Sequence, residues 1–203
     1  MSKKIECMPG GMIQENTYVV PVGDVCYIID PGFGVERIIR YVDQNYQGVK
    51  AILLTHGHFD HVGAVDGLVN RYQCPVYLHP DDYSFVRNIP GHGEELGYRT
   101  ILRTPLLHPE ELDDHNVIWI HTPGHSPGSG CYLFQKEKAL FSGDTLFAVD
   151  IGRVDLPGGS WRMMSDSLKK LKELPDDLTL FPGHEESSTV GQEKKTNQYL
   201  SKV

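Results

Sequence analysis

The 203-residue chain carries 27 acidic against 19 basic side chains, a formal net charge of −8 with its ten histidines counted neutral. That balance argues against a nucleic-acid binder, which presents a basic stripe, and the length suits one domain spanning 1–203. Four dispersed cysteines without a CxxC spacing, no apolar leader after Met1-Ser2-Lys3-Lys4-Ile5 and no membrane-length apolar run predict a reduced, cytoplasmic protein.

In chain order, the β-prone runs 17–20 and 25–29 flank Val22-Gly23-Asp24 and predict a hairpin. Gly32-Phe33-Gly34 turns the chain into 35–42, whose apolar positions 35, 38, 39 and 42 fall on one helical face. Residues 49–54 are a continuous apolar strand of the kind buried on both faces. Val62, Val65, Leu68, Val69 and Tyr72 then predict one amphipathic helix, and 76–78 a short strand. Between 80 and 116, Pro90, Gly91, Gly93, Gly97, Pro105 and Pro109 break any long element, so short helices and loops are expected. Strands follow at 117–121, 130–134 and 138–142. Ser160 caps a helix over Trp161, Met164, Leu168 and Leu171, with the aromatic and Met positions near 161–164 read as core. A last strand at 178–181 and a closing helix at 189–200 complete the chain. Strands followed by helix, twice over, predict an α/β fold of two sheets face to face with helices outside.

The densest chemical signal is Thr55-His56-Gly57-His58-Phe59-Asp60-His61, directly after the apolar run 51–54. Three imidazoles and a carboxylate this close suit zinc and its first-row neighbours. Further candidates each follow a β-rich run and sit beside glycine: His125 in Thr122-Pro123-Gly124-His125, Asp144 in Ser142-Gly143-Asp144, and His184 in Phe181-Pro182-Gly183-His184. Ligands delivered from several strand ends converge at one sheet edge. Seven side chains exceed the four that one tetrahedral zinc takes, and suit two ions. A closed structural site would be Cys-rich, so a ligand set drawn from His and Asp argues against a non-catalytic metal-binding module. His79, His92, His108, His115 and His121 are read as structural or exposed, with His121, near the His125 turn, the first exception to look for.

This set resembles the metallo-β-lactamase superfamily, with the likeness running from Asn16-Thr17-Tyr18 and Ile29-Asp30-Pro31-Gly32 to Pro182-Gly183-His184. Gly143-Asp144-Thr145-Leu146-Phe147 and Gly152-Arg153-Val154-Asp155-Leu156-Pro157 narrow it to short, single-domain glyoxalase II-like (hydroxyacylglutathione hydrolase-like) hydrolases. The resemblance implies an αβ/βα sandwich of two mixed sheets flanked by helices. It implies that His56, His58 and His125 hold a first divalent ion, that Asp60, His61 and His184 hold a second, and that Asp144 bridges them. Zinc is the expected metal, with iron or manganese open to it. Asp60 and Asp144 would then hold a metal-bridging hydroxide as nucleophile. Asp30 would orient a ligand loop by hydrogen bonding.

The implied reaction is hydrolysis of a small-molecule thioester such as S-D-lactoylglutathione, a thiolate being a facile leaving group. The helical C-terminal domain of the longer glutathione-binding relatives has no counterpart in 1–203. Arg153 and Asp155 stand where those relatives carry Lys and Tyr, and Glu186 replaces a further Tyr. Arg153 is the candidate for a glutathione carboxylate; its other reading is an ion pair with Asp150 or Asp155. The alternatives are a lactonase or other ester hydrolase, and a mononuclear-iron persulfide dioxygenase. A β-lactamase ranks lower, because Asp144 occupies the position where a cysteine is usual. No membrane or nucleic-acid partner is expected.

Overall fold

The computed structural model describes residues 3–87 and 101–203. The positions at Pro90, Gly91, His92, Gly93 and Gly97 fall outside them, so the expectations resting on those residues do too. Two five-stranded mixed sheets face one another. The first runs β1 (Glu6–Gly10), β2 (Glu15–Val22), β3 (Val25–Ile29), β4 (Val49–Leu53), β5 (Val76–Tyr77). In the second, β10 (Ser188–Thr189), β9 (Thr179–Pro182), β8 (Ala139–Gly143), β7 (Gly130–Phe134) and β6 (Val117–His121) lie side by side in that order. In each sheet an antiparallel hairpin pair joins a parallel pair, β3 with β4 and β4 with β5 in the first, β8 with β9 in the second.

The period of two along each strand explains the layering. Tyr18, Val20, Tyr27, Ile29 and Leu53 point inward and meet Tyr132, Phe134 and Phe141 from the second sheet. Their neighbours Val19, Ile28 and Ile52 point outward, under α1 (Val35–Asn45) and α3 (Val65–Tyr72). On the far side Leu133, Leu140 and Leu180 are covered by Met164, Leu168 and Leu171 of α5 (Trp161–Lys172) and by Val190 of α6 (Val190–Thr196). The helices outside, sheets inside arrangement is therefore the expected sandwich.

Several local expectations need correction. The single helix over 62–72 is two: α2 (Phe59–Val62) and α3, broken at Gly63 and Ala64. The Ala64 N–H donates to Pro31 O at 2.9 Å, and a Cβ on Gly63 would meet Gly32 O at 2.4 Å. Contact with the β3–α1 turn thus bends the chain and frees α2 to carry two candidate ligands. Trp161 and Met163 are 45% and 40% exposed; only Met164 of that group is core, because α5 turns one stripe alone toward the sheet. β1 and β10 carried no clear apolar alternation, and β10 is two residues long. The 80–116 stretch does hold short elements where described, the 3-10 turns Pro80–Asp82 and Pro109–Glu111 with α4 (Tyr83–Arg87) between. The cysteines are free and, apart from Cys7, buried. No helix of the described residues is long and apolar enough to cross a membrane.

Phe141 shows where the sandwich takes its stability. It is fully buried, edge-on to Tyr18 at 5.2 Å and stacked on Phe181 at 5.1 Å. Phe141→Ala is expected to cost about 3–5 kcal/mol in urea unfolding, against less than about 1 kcal/mol for Trp161→Ala. Equal losses at the two positions would contradict this assignment of the core.

Candidate metal centre

Every sequence-predicted ligand comes from the turn beyond a strand or, for Asp60 and His61, from the short helix that follows one, at the edge where the two sheets open. His56 and His58 follow β4, and Asp60 and His61 occupy α2. His125 lies in the β6–β7 turn, Asp144 follows β8 and His184 follows β9. The glycines beside them are required by space. A Cβ on Gly183 would lie 2.3 Å from Asp144 Oδ1, and one on Gly143, at φ +49°, would lie 2.2 Å from Thr55 Oγ1. Asn16 ties the third turn down: its N–H donates to Gly183 O, and its side-chain amide donates to Pro182 O and Glu185 O.

The seven side chains form two clusters sharing one carboxylate. His56, His58 and His125 make the first, Asp60, His61 and His184 the second. Asp144 Oδ2 lies 3.4 Å from His125 Nε2, while its Oδ1 lies 3.5 Å from His61 Nε2. His184 Nε2 is 3.2 Å from Asp60 Oδ2, and His58 Nδ1 is 2.8 Å from His125 Nε2. Ligands about 2.0–2.1 Å from a tetrahedral zinc are roughly 3.4 Å apart, so the spacings of 3.2–3.5 Å already fit a cation, while the His58–His125 pair must open from its hydrogen-bond distance to admit one.

A sharper test of fit is hydrogen bonding. His56 Nε2, His61 Nε2 and Asp144 Oδ1 are buried without a hydrogen-bond partner among the described residues. Leaving such atoms unsatisfied costs about 1–3 kcal/mol each. Cations held by the two clusters would satisfy all of them.

The partners behind the rings fix which nitrogen faces inward. His125 Nδ1–H donates to Arg153 O at 2.8 Å, and His184 Nδ1–H to Ile13 O at 3.1 Å. Carbonyls only accept, so both Nε2 atoms keep their lone pairs. Asp30 performs the same service twice. It accepts from His61 Nδ1 at 3.1 Å and from the Thr55 hydroxyl at 2.6 Å. With its proton so committed, Thr55 Oγ1 accepts from His56 Nδ1 at 3.1 Å. A third bond, from Thr55 N at 2.7 Å, completes the Asp30 set. Asp30 sits at φ +46°, a left-handed conformation that Asp tolerates and that aims its carboxylate under the cluster.

Charge is arranged to match. Burial works against ionising His61, but Asp60, Asp144 and Asp30 around it raise its pKa well above the ordinary histidine value. Asp60 is opposed by burial too, yet His61 and His184 hold it below the usual carboxylate range. His56, buried and facing four other imidazoles, is pushed down. The carboxylate end of the site thus attracts a cation while the His56 end presents neutral nitrogen.

Two buried acids beside the centre were not foreseen. Asp82 accepts from Gly57 N at 2.9 Å, Ser126 Oγ at 2.6 Å and Gly128 N at 2.7 Å, joining the His56–His58 loop to the His125 turn. The sequence signal was only its place after His79-Pro80, a turn-start pattern. Glu15 is fully buried beside the second cluster, where burial raises its pKa well above the usual carboxylate range. Arg153, by contrast, is exposed, and its guanidinium forks onto Asp155 through bonds of 2.7 and 2.9 Å. Its fixed contribution to the centre is the backbone carbonyl that holds His125.

Comparison with known proteins agrees with this geometry. A family model of the metallo-beta-lactamase superfamily matches residues 10–184. The hydroxyacylglutathione hydrolase GloC of Haemophilus influenzae is 33% identical over 97% of this chain and 98% of its own. The crystal structure of BLEG-1, a B3 metallo-beta-lactamase, superposes with a TM-score of 0.88 at 36% identity, over 98% of this chain and 100% of that one. The protein TTHA1623, solved in a di-iron-bound form, gives the same TM-score and identity over 96% and 99%.

Removing either orienting carboxylate should loosen the ligands behind which it stands. Asp30→Ala and Asp82→Ala are each expected to weaken metal binding about 10–100-fold, as loss of such supports generally does. Competition with a chromogenic chelator reads this out; unchanged affinity in both variants would refute the assignment.

Proposed function

The chain belongs to the metallo-β-lactamase superfamily, and from that premise we propose that it is a binuclear thioester hydrolase of the glyoxalase II kind, acting in the cytoplasm. The observation that carries the reading is Asp144, one carboxylate that reaches both ligand clusters, 3.4 Å from His125 in the first and 3.5 and 3.7 Å from His61 and His184 in the second. Two divalent cations held there would supply Lewis acidity, bringing the pKa of a water from 15.7 to about 7 and polarising a substrate carbonyl.

The remaining work belongs to the protein. Asp60, held below the usual carboxylate range by His61 and His184, and Asp144, which approaches the same two rings, both offer acceptor oxygens that would orient an attacking water and take its hydrogen bond. The His125, His184, His56 and His61 rings are kept from rotating away by Arg153 O, Ile13 O, Thr55 and Asp30, which hold them from behind. Met12 and Ile13 are exposed on the β1–β2 turn whose carbonyl anchors His184, and suit the apolar part of an acyl group. A thiol leaves with a pKa near 8.5, so the absence of an assigned general acid is no obstacle for a thioester. Arg153, at the rim, is the cation for an anionic substrate group once exchanged from Asp155.

The likeness to GloC supports the thioester, and glutathione as thiol carrier, while that to BLEG-1 supports a second reading, cleavage of a β-lactam amide. Zinc is our assignment on the His/Asp ligand set; iron is the alternative, given the di-iron form of TTHA1623.

The deciding experiment is steady-state hydrolysis of S-D-lactoylglutathione and of a chromogenic cephalosporin by zinc-loaded and iron-loaded protein. A kcat/KM for the thioester of roughly 10⁴ M⁻¹s⁻¹ or more, lost in His58→Ala, is expected. Cephalosporin cleavage without thioester cleavage would replace the proposal by the second reading. Arg153→Ala should raise KM for the thioester up to about fivefold with kcat nearly unchanged, the scale of an exposed ion pair.

A further inference from the structure

Outside the centre, the described residues hold another group of metal-ligating side chains. His79, Asp81 and His121 bring one ligand atom each within 4.8 Å of one another. They lie where β5, the edge of one sheet, faces β6, the edge of the other. His79 follows β5 and opens the turn Pro80–Asp82; His121 is the last residue of β6. Their rings stack at 4.3 Å with 16° between planes, and His108 packs 5.0 Å from His79. Nothing in the hydrolytic chemistry uses these residues.

Hydrogen bonding determines which atoms can ligate. His121 Nε2 lies 3.0 Å from Pro127 O, so Nε2 carries the proton and Nδ1 keeps a lone pair. His79 Nδ1 also keeps its lone pair, spent on a long 3.3 Å bond from Asp81 N. Asp81 is exposed, so water can replace that bond when the nitrogen turns to an ion. The Asp81 carboxylate is already 3.7 Å from His79 Nδ1. His108 is excluded as a ligand through Nε2, because its Nδ1 accepts from Glu110 N and the proton sits on Nε2.

We propose that His79, His121 and Asp81 form a peripheral site for one borderline divalent transition-metal ion, such as zinc, completed by water. Two imidazoles and one carboxylate are a common zinc set, and the three donors already lie within 4.8 Å of one another, against the roughly 3.4 Å of a tetrahedron. An ion here clamps the Pro80–Asp82 turn to the end of β6. Both partners lead to the main centre. Asp82, next in sequence to Asp81, holds Gly57 and Gly128, and His121 holds Pro127 in the turn that carries His125. The site is therefore placed to stiffen the His125 turn without touching substrate.

Protein already loaded at the main centre is titrated with zinc chloride by calorimetry, and bound zinc is counted by mass spectrometry after gel filtration. Wild type should bind one more ion per chain than His121→Gln. Asp81→Asn and His79→Gln should weaken that extra binding more than about tenfold, since losing even an orienting partner costs 10–100-fold. Because Asp81 is exposed, Asp81→Asn tests the site even if a histidine variant folds poorly. The count is a difference between variants, so it stands whatever the main centre holds. No extra ion in wild type, or an extra ion held equally by Asp81→Asn and His79→Gln, would overturn the proposal.

Discussion

The buried Asp30 carboxylate is the constraint on which the rest of the centre depends. Its three bonds fix the Thr55 backbone, the Thr55 hydroxyl and the His61 ring at once. Through the Thr55 hydroxyl it also sets the proton on His56, so one anion determines the inward-facing nitrogen in both clusters. The carboxylate reaches them because β3 and β4 pair in parallel, placing the ends of both strands at the same sheet edge. A left-handed backbone at Asp30 is the accompanying strain, of about 1–3 kcal/mol for a residue other than glycine.

Parallel pairing has the same consequence in the second sheet. β8 and β9 run together, so Asp144 and His184 emerge side by side, and the Gly183 N–H donates to Gly143 O at 2.9 Å. The two sheets then face one another with ligand turns at one common edge. Glycine at 143 and 183 allows the turns to approach until donor atoms are 3.2–3.7 Å apart. Side chains of this polarity gathered in the interior would otherwise carry a large desolvation cost. The carbonyls and hydroxyls behind the rings offset part of it, and a bound cation would offset more.

Much of this was legible in the sequence because the signals were local. The run 49–54 followed at once by His56-Gly57-His58-Phe59-Asp60-His61 announces a buried strand ending in ligands, and the structure has β4 and α2 there. The Ser160 cap was equally readable, its hydroxyl accepting from Met163 N. The break between α2 and α3 was not, since it depends on Gly63 meeting Gly32 from another turn. Nor was Asp82, whose three partners lie 25 to 46 residues away. The exposed side of α5 was misjudged because an apolar residue near a helix start has no local mark of which way the helix faces.

By itself, the sequence determined which residues could bind metal and where most of the strands and helices would lie, because ligand chemistry and hydrophobic period are properties of neighbouring residues. Tertiary structure alone decided that the seven ligands form two clusters sharing Asp144, which nitrogen of each oriented ring faces inward, that Arg153 is paired with Asp155, and that His79 meets Asp81 and His121 at the sandwich edge. Those outcomes depend on the register and pairing of strands far apart in the chain, which set distances to within an ångström. Local sequence carries no measure of such distances.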